Sequence, residues 1–186
     1  MPKQIADQDV YAAALRVVAE RGYAGATTKA LAEVAGINEV TLFRKYGSKS
    51  ELVVLALTQG AFHFAEKDVA YSGDLEADLI RAAGTFASML KKNGQLFSLV
   101  MIEMARHAEL REAIRAPSGC IRALAALLCQ YRDEGALVTD EDPLQAVASF
   151  LGPLIVIDML QNASTRLAPA SLEPVGHVQR FLRGRT

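Results

Sequence analysis

The run Thr27 to Leu52, TTKALAEVAGINEVTLFRKYGSKSEL, constrains this chain more tightly than any other stretch. Thr27 or Thr28 can cap a helix, because a Thr hydroxyl accepts from a first-turn N–H that otherwise has no partner. Leu31, Ala32 and Ala35 then follow at helical spacing. Gly36 predicts the stop, since glycine enters the left-handed region without a Cβ penalty, and Asn38 predicts the next cap. The second helix is expected over Glu39 to Tyr46, with Leu42 and Phe43 anchoring it and Glu39, Thr41, Arg44 and Lys45 facing outward. Two short helices around so tight a turn make a helix-turn-helix.

The flanks predict helices too. Val10, Ala14, Val17 and Val18 form one apolar stripe, giving a supporting helix from about Gln4 to Arg21, ended by Gly22, with Tyr23 plugging the core behind it. Ser48 and Glu51 form a capping box that opens a connector helix expected to run to about Val69, over residues 48–70. Beyond the break at Tyr71-Ser72-Gly73-Asp74, helices are expected at roughly 74–92, 95–106, 109–115, 118–134, 142–162 and 171–183. Asn93-Gly94, Ala116-Pro117-Ser118, Glu134-Gly135 and Ala168-Pro169 mark the boundaries. Asp142-Pro143 is a cap followed by proline at the first helical position. With few prolines and no alternating Val/Ile/Thr run, the fold class is all-α.

Gly22, Tyr23, Ala26, Thr27, Thr28, Leu31, Ala32, Ala35, Gly36, Ile37, Thr41, Leu42, Phe43, Tyr46, Ser48, Lys49 and Leu52 stand in register with a known pattern. In these residues the N-terminal third resembles the DNA-binding region of the TetR family of bacterial transcription regulators. The resemblance implies an N-terminal helix-turn-helix three-helix domain, residues 1–47, and a helical effector-binding and dimerisation domain, residues 48–186. It also implies a homodimeric, ligand-responsive regulator, a repressor released from a palindromic double-stranded DNA operator by a small molecule. Carried over by motif, Thr28, Lys29 and Lys49 contact phosphate, and Asn38, Glu39, Val40, Thr41, Phe43, Arg44 and Lys45 lie on or near the recognition helix. Three residues depart from the family's habit: Val40 stands where a small residue is common, Phe43 has no hydroxyl to offer a phosphate, and Glu39 repels phosphate unless it accepts from a cytosine amine.

Charge agrees with this reading without carrying it. Residues 1–50 hold seven Lys and Arg against five Asp and Glu, in a chain of net charge −1. Rival readings are a helical small-molecule carrier without DNA binding and an enzyme on a helical bundle. The sequence contains no phosphate-binding glycine loop, nucleophile elbow or zinc-protease motif, and no cofactor is expected. Glu103 and His107 could share a helix face, but such a pair is more often an ion pair than a metal site, so no metal is expected. Cys120 and Cys129, nine apart, read as reduced buried thiols.

Phe86, Met89, Leu90, Phe97, Val100, Met101 and Met104 suit an adaptable apolar pocket, and equally an ordinary bundle core. As a pocket they imply an apolar or amphipathic effector. Helix 142–162 is apolar on nearly every face and needs cover on both sides. Leu144, Val147, Phe150, Leu151, Leu154, Ile155 and Asp158 are its candidate dimer contacts, with a kink expected at Gly152-Pro153. The run Ala146 to Ile157, interrupted by Ser149, Gly152 and Pro153, reads as too short for a bilayer. No membrane partner and a cytoplasmic location are expected.

Overall fold

The computed structural model describes residues 6–113, 119–163 and 173–186. Nine α-helices are present among them: α1 (Asp7–Gly25), α2 (Thr28–Ala35), α3 (Glu39–Tyr46), α4 (Lys49–Leu55), α5 (Leu75–Arg106), α6 (Ala108–Ala113), α7 (Gly119–Asp133), α8 (Pro143–Asn162) and α9 (Pro174–Leu182). No strand occurs among the described residues. The chain forms two compact units, Met1–Phe62 with Leu96–Ala116, and His63–Gln95 with Pro117–Thr186. The outer ends expected for the first and last helices and for the 109–115 helix, and the breaks at Ala116-Pro117-Ser118 and Ala168-Pro169, lie outside the described residues.

In the first unit, α1, α2, α3 and α4 close around Val10, Ala14, Val17, Val18, Leu31, Leu42 and Leu52, all nearly inaccessible to water. The local signals act as anticipated. Thr27 Oγ1 accepts from the Ala30 N–H at 3.2 Å, and Gly36 takes φ 68°. Asn38 Oδ1 accepts from the Val40 N–H at 2.8 Å, and Ser48 and Glu51 complete their capping box. Gly22, at φ 68° and ψ 169°, interrupts α1 and leaves Tyr23 1% exposed in the core.

The connector differs from expectation. Regular helix ends at Leu55, widens into a π-helical turn at Ala56–Ala61, and returns only as a short 3-10 turn at Glu66–Val69. Thr58 Oγ1 donates to the Val54 carbonyl at 2.8 Å, a local bond that competes with the ladder, and the Phe62 N–H reaches back five residues to Leu57 at 2.7 Å. Phe62 packs on Phe97 in the first unit, whereas Phe64 packs on Phe86 in the second. Both are 5% exposed, and a continuous helix would point residues two apart to nearly opposite sides. The chain buries both by leaving the helix.

The second unit holds the residues of α5 up to Gln95 with α7, α8 and α9. The expected break at Asn93-Gly94 is absent, and α5 continues for 32 residues. Gly94 serves close packing instead: a Cβ there would overlap the Asp158 carboxylate. Below it, Asp78 is fully buried and accepts from the Ser72 N–H at 2.7 Å, the Ser72 hydroxyl at 2.6 Å, the Tyr131 hydroxyl and, at 2.8 Å, Arg81. Burial alone would push the Asp78 carboxyl up, but these bonds outweigh it and hold it at about 2. The network ties residues 70–74 to α5 and α7. Asp142 and Gln145 form the capping box of α8, with Pro143 in its first turn.

Candidate nucleic-acid interface

The face of α3 follows from its anchors. Leu42 is fully buried and Tyr46 nearly so, which turns Val40, Thr41 and Arg44 to solvent, and Glu39 and Lys45 are exposed as well. Phe43 is half-buried, less of an anchor than the sequence suggests, and Tyr46 supplies the second one. Thr28 and Lys29 are exposed at the start of α2, as is Asn38 in the turn. All ten residues carried over by motif thus have at least part of the side chain in water, eight of them exposed and Phe43 and Lys49 half-buried.

The three cations on or after α3 differ in what holds them. Arg44 makes no ion pair or side-chain hydrogen bond among the described residues. Lys45 pairs with Asp7 of α1, and the same Asp7 oxygen accepts from the Tyr46 hydroxyl at 2.7 Å. These bonds, from Lys45 first and Tyr46 second, lower the Asp7 carboxyl below its ordinary value, and the bond to Asp7 raises Lys45. Lys49 is half-buried: its Nζ donates to the Tyr23 carbonyl at 3.0 Å and lies 4.0 Å from the centroid of the Tyr23 ring. Burial lowers its pKa.

The Tyr23 ring also meets His107, ring centroids 4.8 Å apart. The His107 ring lies between two carboxylates, Nε2 at 3.2 Å from Glu103 and Nδ1 at 3.3 Å from Glu109. Both ring nitrogens of His107 thus lie within reach of a carboxylate, Glu103 on one side and Glu109 on the other. The roles of Asp7 and Tyr46 and the tilted Tyr23–His107 contact escaped the sequence reading, because each depends on partners far apart in the chain.

Residues 10–56 match the family model described as bacterial regulatory proteins, tetR family. Over these residues the chain has the DNA-binding region of the TetR family. It is 27% identical over 109 residues to an uncharacterised HTH-type transcriptional regulator of Mycobacterium tuberculosis, a match covering 59% of this chain and 53% of that protein. The chain thus spans about half the length of the curated relatives it first matches. Among solved structures it is similar to a candidate TetR-family transcriptional regulator from Mesorhizobium loti, with TM-score 0.69, 20% identity, and 96% and 95% of the two chains covered. It is also similar to the fatty acid degradation regulator FadR from Bacillus halodurans, with TM-score 0.66, 18% identity and 95% of each chain covered. At such identities the likeness is one of fold.

The residues expected to form one apolar pocket divide between the units. Phe86, Met89 and Leu90 belong to the second, and Phe97, Val100, Met101 and Met104 to the first. Phe86, Leu90 and Val100 are buried. Within the second unit a cleft of about 590 Å³ opens between α5 and α8, lined by Leu90, Leu154 and Ile157 with polar Ser88, Lys91, Asp158 and Asn162. Asp158 accepts from the Asn162 amide at 2.7 Å, and burial raises its carboxyl.

The expected dimer-face residues divide by burial. Val147, Phe150, Leu151 and Leu154 are at most 5% exposed in the chain's own core. Leu144 is exposed and Ile155 half-exposed; Val156 and Leu160, at 55% and 38%, extend the outward apolar surface. At 20 residues α8 is also, by length and composition alone, long and apolar enough to cross a membrane. Cys120 is buried and Cys129 half-buried, both as free thiols.

Proposed function

We propose that this TetR-family transcription regulator acts as a homodimeric repressor that leaves a palindromic operator when an apolar or amphipathic small molecule binds. In this reading residues 1–47 bind DNA and residues 48–186 bind effector and pair the subunits. The observation that carries it is the pose of α3: held by Leu42 and Tyr46, capped by Asn38, and turned outward over Val40, Thr41 and Arg44. Such a helix fits the major groove, and phosphate-facing Thr28 and Lys29 sit at the start of the helix before it.

Two copies would be joined through the outward side of α8, where Leu144, Val156 and Leu160 leave apolar area uncovered. Two recognition helices then reach successive major grooves about 34–36 Å apart, so a ligand that changes their separation weakens binding. The cleft beside Leu90, Leu154 and Ile157 supports a largely apolar effector with one polar end, near Asp158 and Asn162. In this reading the protein works in the cytoplasm.

The test is binding of the full chain to labelled duplexes from the promoter of its own and neighbouring genes. The expected result is tight binding that falls steeply with salt, as counterion release requires. Absence of salt-sensitive binding to every duplex, or turnover of a cleft-bound small molecule in place of binding, would overturn the reading.

A further inference from the structure

We propose that Val40 and Arg44 form the base-reading stripe of α3, Val40 against a thymine methyl and Arg44 against a guanine, so that each operator half carries these bases about two base pairs apart. The proposal rests on the DNA-binding reading above and adds which side chains read and what they read.

The phase of α3 selects the pair. At 3.6 residues per turn, Val40 and Arg44 lie about 140° and 180° round the helix from the mean direction of Leu42 and Tyr46. They are the two side chains aimed most directly away from the core. Thr41 and Lys45 lie on the flank, and Glu39 falls on the same side as the anchors, about 40° from their mean direction.

The chemistry of each member is specific. Val40 is 75% exposed, the highest value for a large apolar side chain among the described residues, and nothing in the first unit covers it. Apolar side chains in the major groove find one apolar feature there, the thymine C5-methyl. Arg44 has its guanidinium free among the described residues, whereas Lys45 is paired with Asp7 and Lys49 with Tyr23. A free guanidinium fork matches guanine O6 and N7 in two hydrogen bonds, the commonest specific contact of this kind. Positions four apart are separated by about 6 Å along the helix, close to two base steps of about 3.4 Å.

The experiment is selection of random duplexes by the full chain, followed by base-analogue substitution in the selected site. Selected half-sites should hold a thymine and a guanine two base pairs apart. Replacing that thymine by deoxyuridine removes only the methyl and should weaken the wild type about fourfold, what one buried carbon group is worth. Val40→Ala, which substitutes a better helix former at an exposed site, should bind the thymine and uracil duplexes equally. Replacing the guanine by 7-deazaguanine should weaken the wild type about tenfold or more and leave Arg44→Ala indifferent. Tight selection of sites lacking this pair, or a Val40→Ala protein that still separates thymine from uracil, overturns the proposal alone. Failure to select any duplex overturns the DNA-binding reading and the proposal together.

Discussion

The ammonium of Lys49 lies over the ring of Tyr23, 4.0 Å from its centroid, and donates to that residue's own carbonyl at 3.0 Å. The sequence pattern marks Lys49 for phosphate, yet this geometry already commits its half-buried ammonium within the first unit. Lys49→Ala is therefore expected to destabilise the fold by about 2 kcal/mol, the sum of a partly desolvated cation–π contact and a charged hydrogen bond. The salt dependence of DNA binding should change little. Denaturant unfolding and binding titrations read the two effects separately; an unchanged midpoint with a slope reduced by about one phosphate would return Lys49 to the DNA.

Asp7 restrains Lys45 and adds a negative charge beside α3. In Asp7→Ala the ammonium is released, so binding to all duplexes should tighten several-fold and the salt slope should steepen by about 0.9, one phosphate's worth. An identical slope in wild type and variant would show that Lys45 does not face the backbone.

His177 is 4% exposed, with Nε2 2.7 Å from the Phe150 carbonyl, so that nitrogen carries the hydrogen. Burial lowers its pKa from the ordinary value near 6.5. As pH falls the unfolded chain therefore takes up this proton before the folded one. The stability it contributes is complete above about pH 6.5 and is lost as pH drops towards the depressed folded value. His177→Gln keeps a donor for the carbonyl and removes the titration. Urea midpoints between pH 7 and 5 should fall for the wild type and stay flatter for the variant; parallel curves would assign the acid lability to other groups.

Val156 and Leu160 lie one turn apart on the exposed side of α8. If they meet a second copy, the wild type sediments as a dimer at micromolar concentration, and Val156→Glu with Leu160→Glu gives a monomer of unchanged helicity. A monomeric wild type with normal helicity would remove the dimer from the proposal.

What the sequence by itself determined here is local. The caps at Thr27, Asn38, Ser48 and Asp142 each bond within three positions, and the stop at Gly36 depends on one backbone torsion, so residue type and spacing sufficed for the helix-turn-helix. Tertiary structure decided whatever depends on distant partners. Asn93-Gly94 reads as a turn, yet the helix continues because the missing Cβ lets Asp158 of α8 approach. The connector reads as one helix, yet Phe62 and Phe64 are both buried, each beside a different aromatic ring, and the helix ends to permit it. Lys45 and Lys49 are both cations in the motif, and only Asp7, 38 positions away, and Tyr23, 26 positions away, commit them. On α8, apolar residues on nearly every face erase the periodicity that would show which side is covered, so Val147, Phe150, Leu151 and Leu154 could be placed inward only by the helices packed on them.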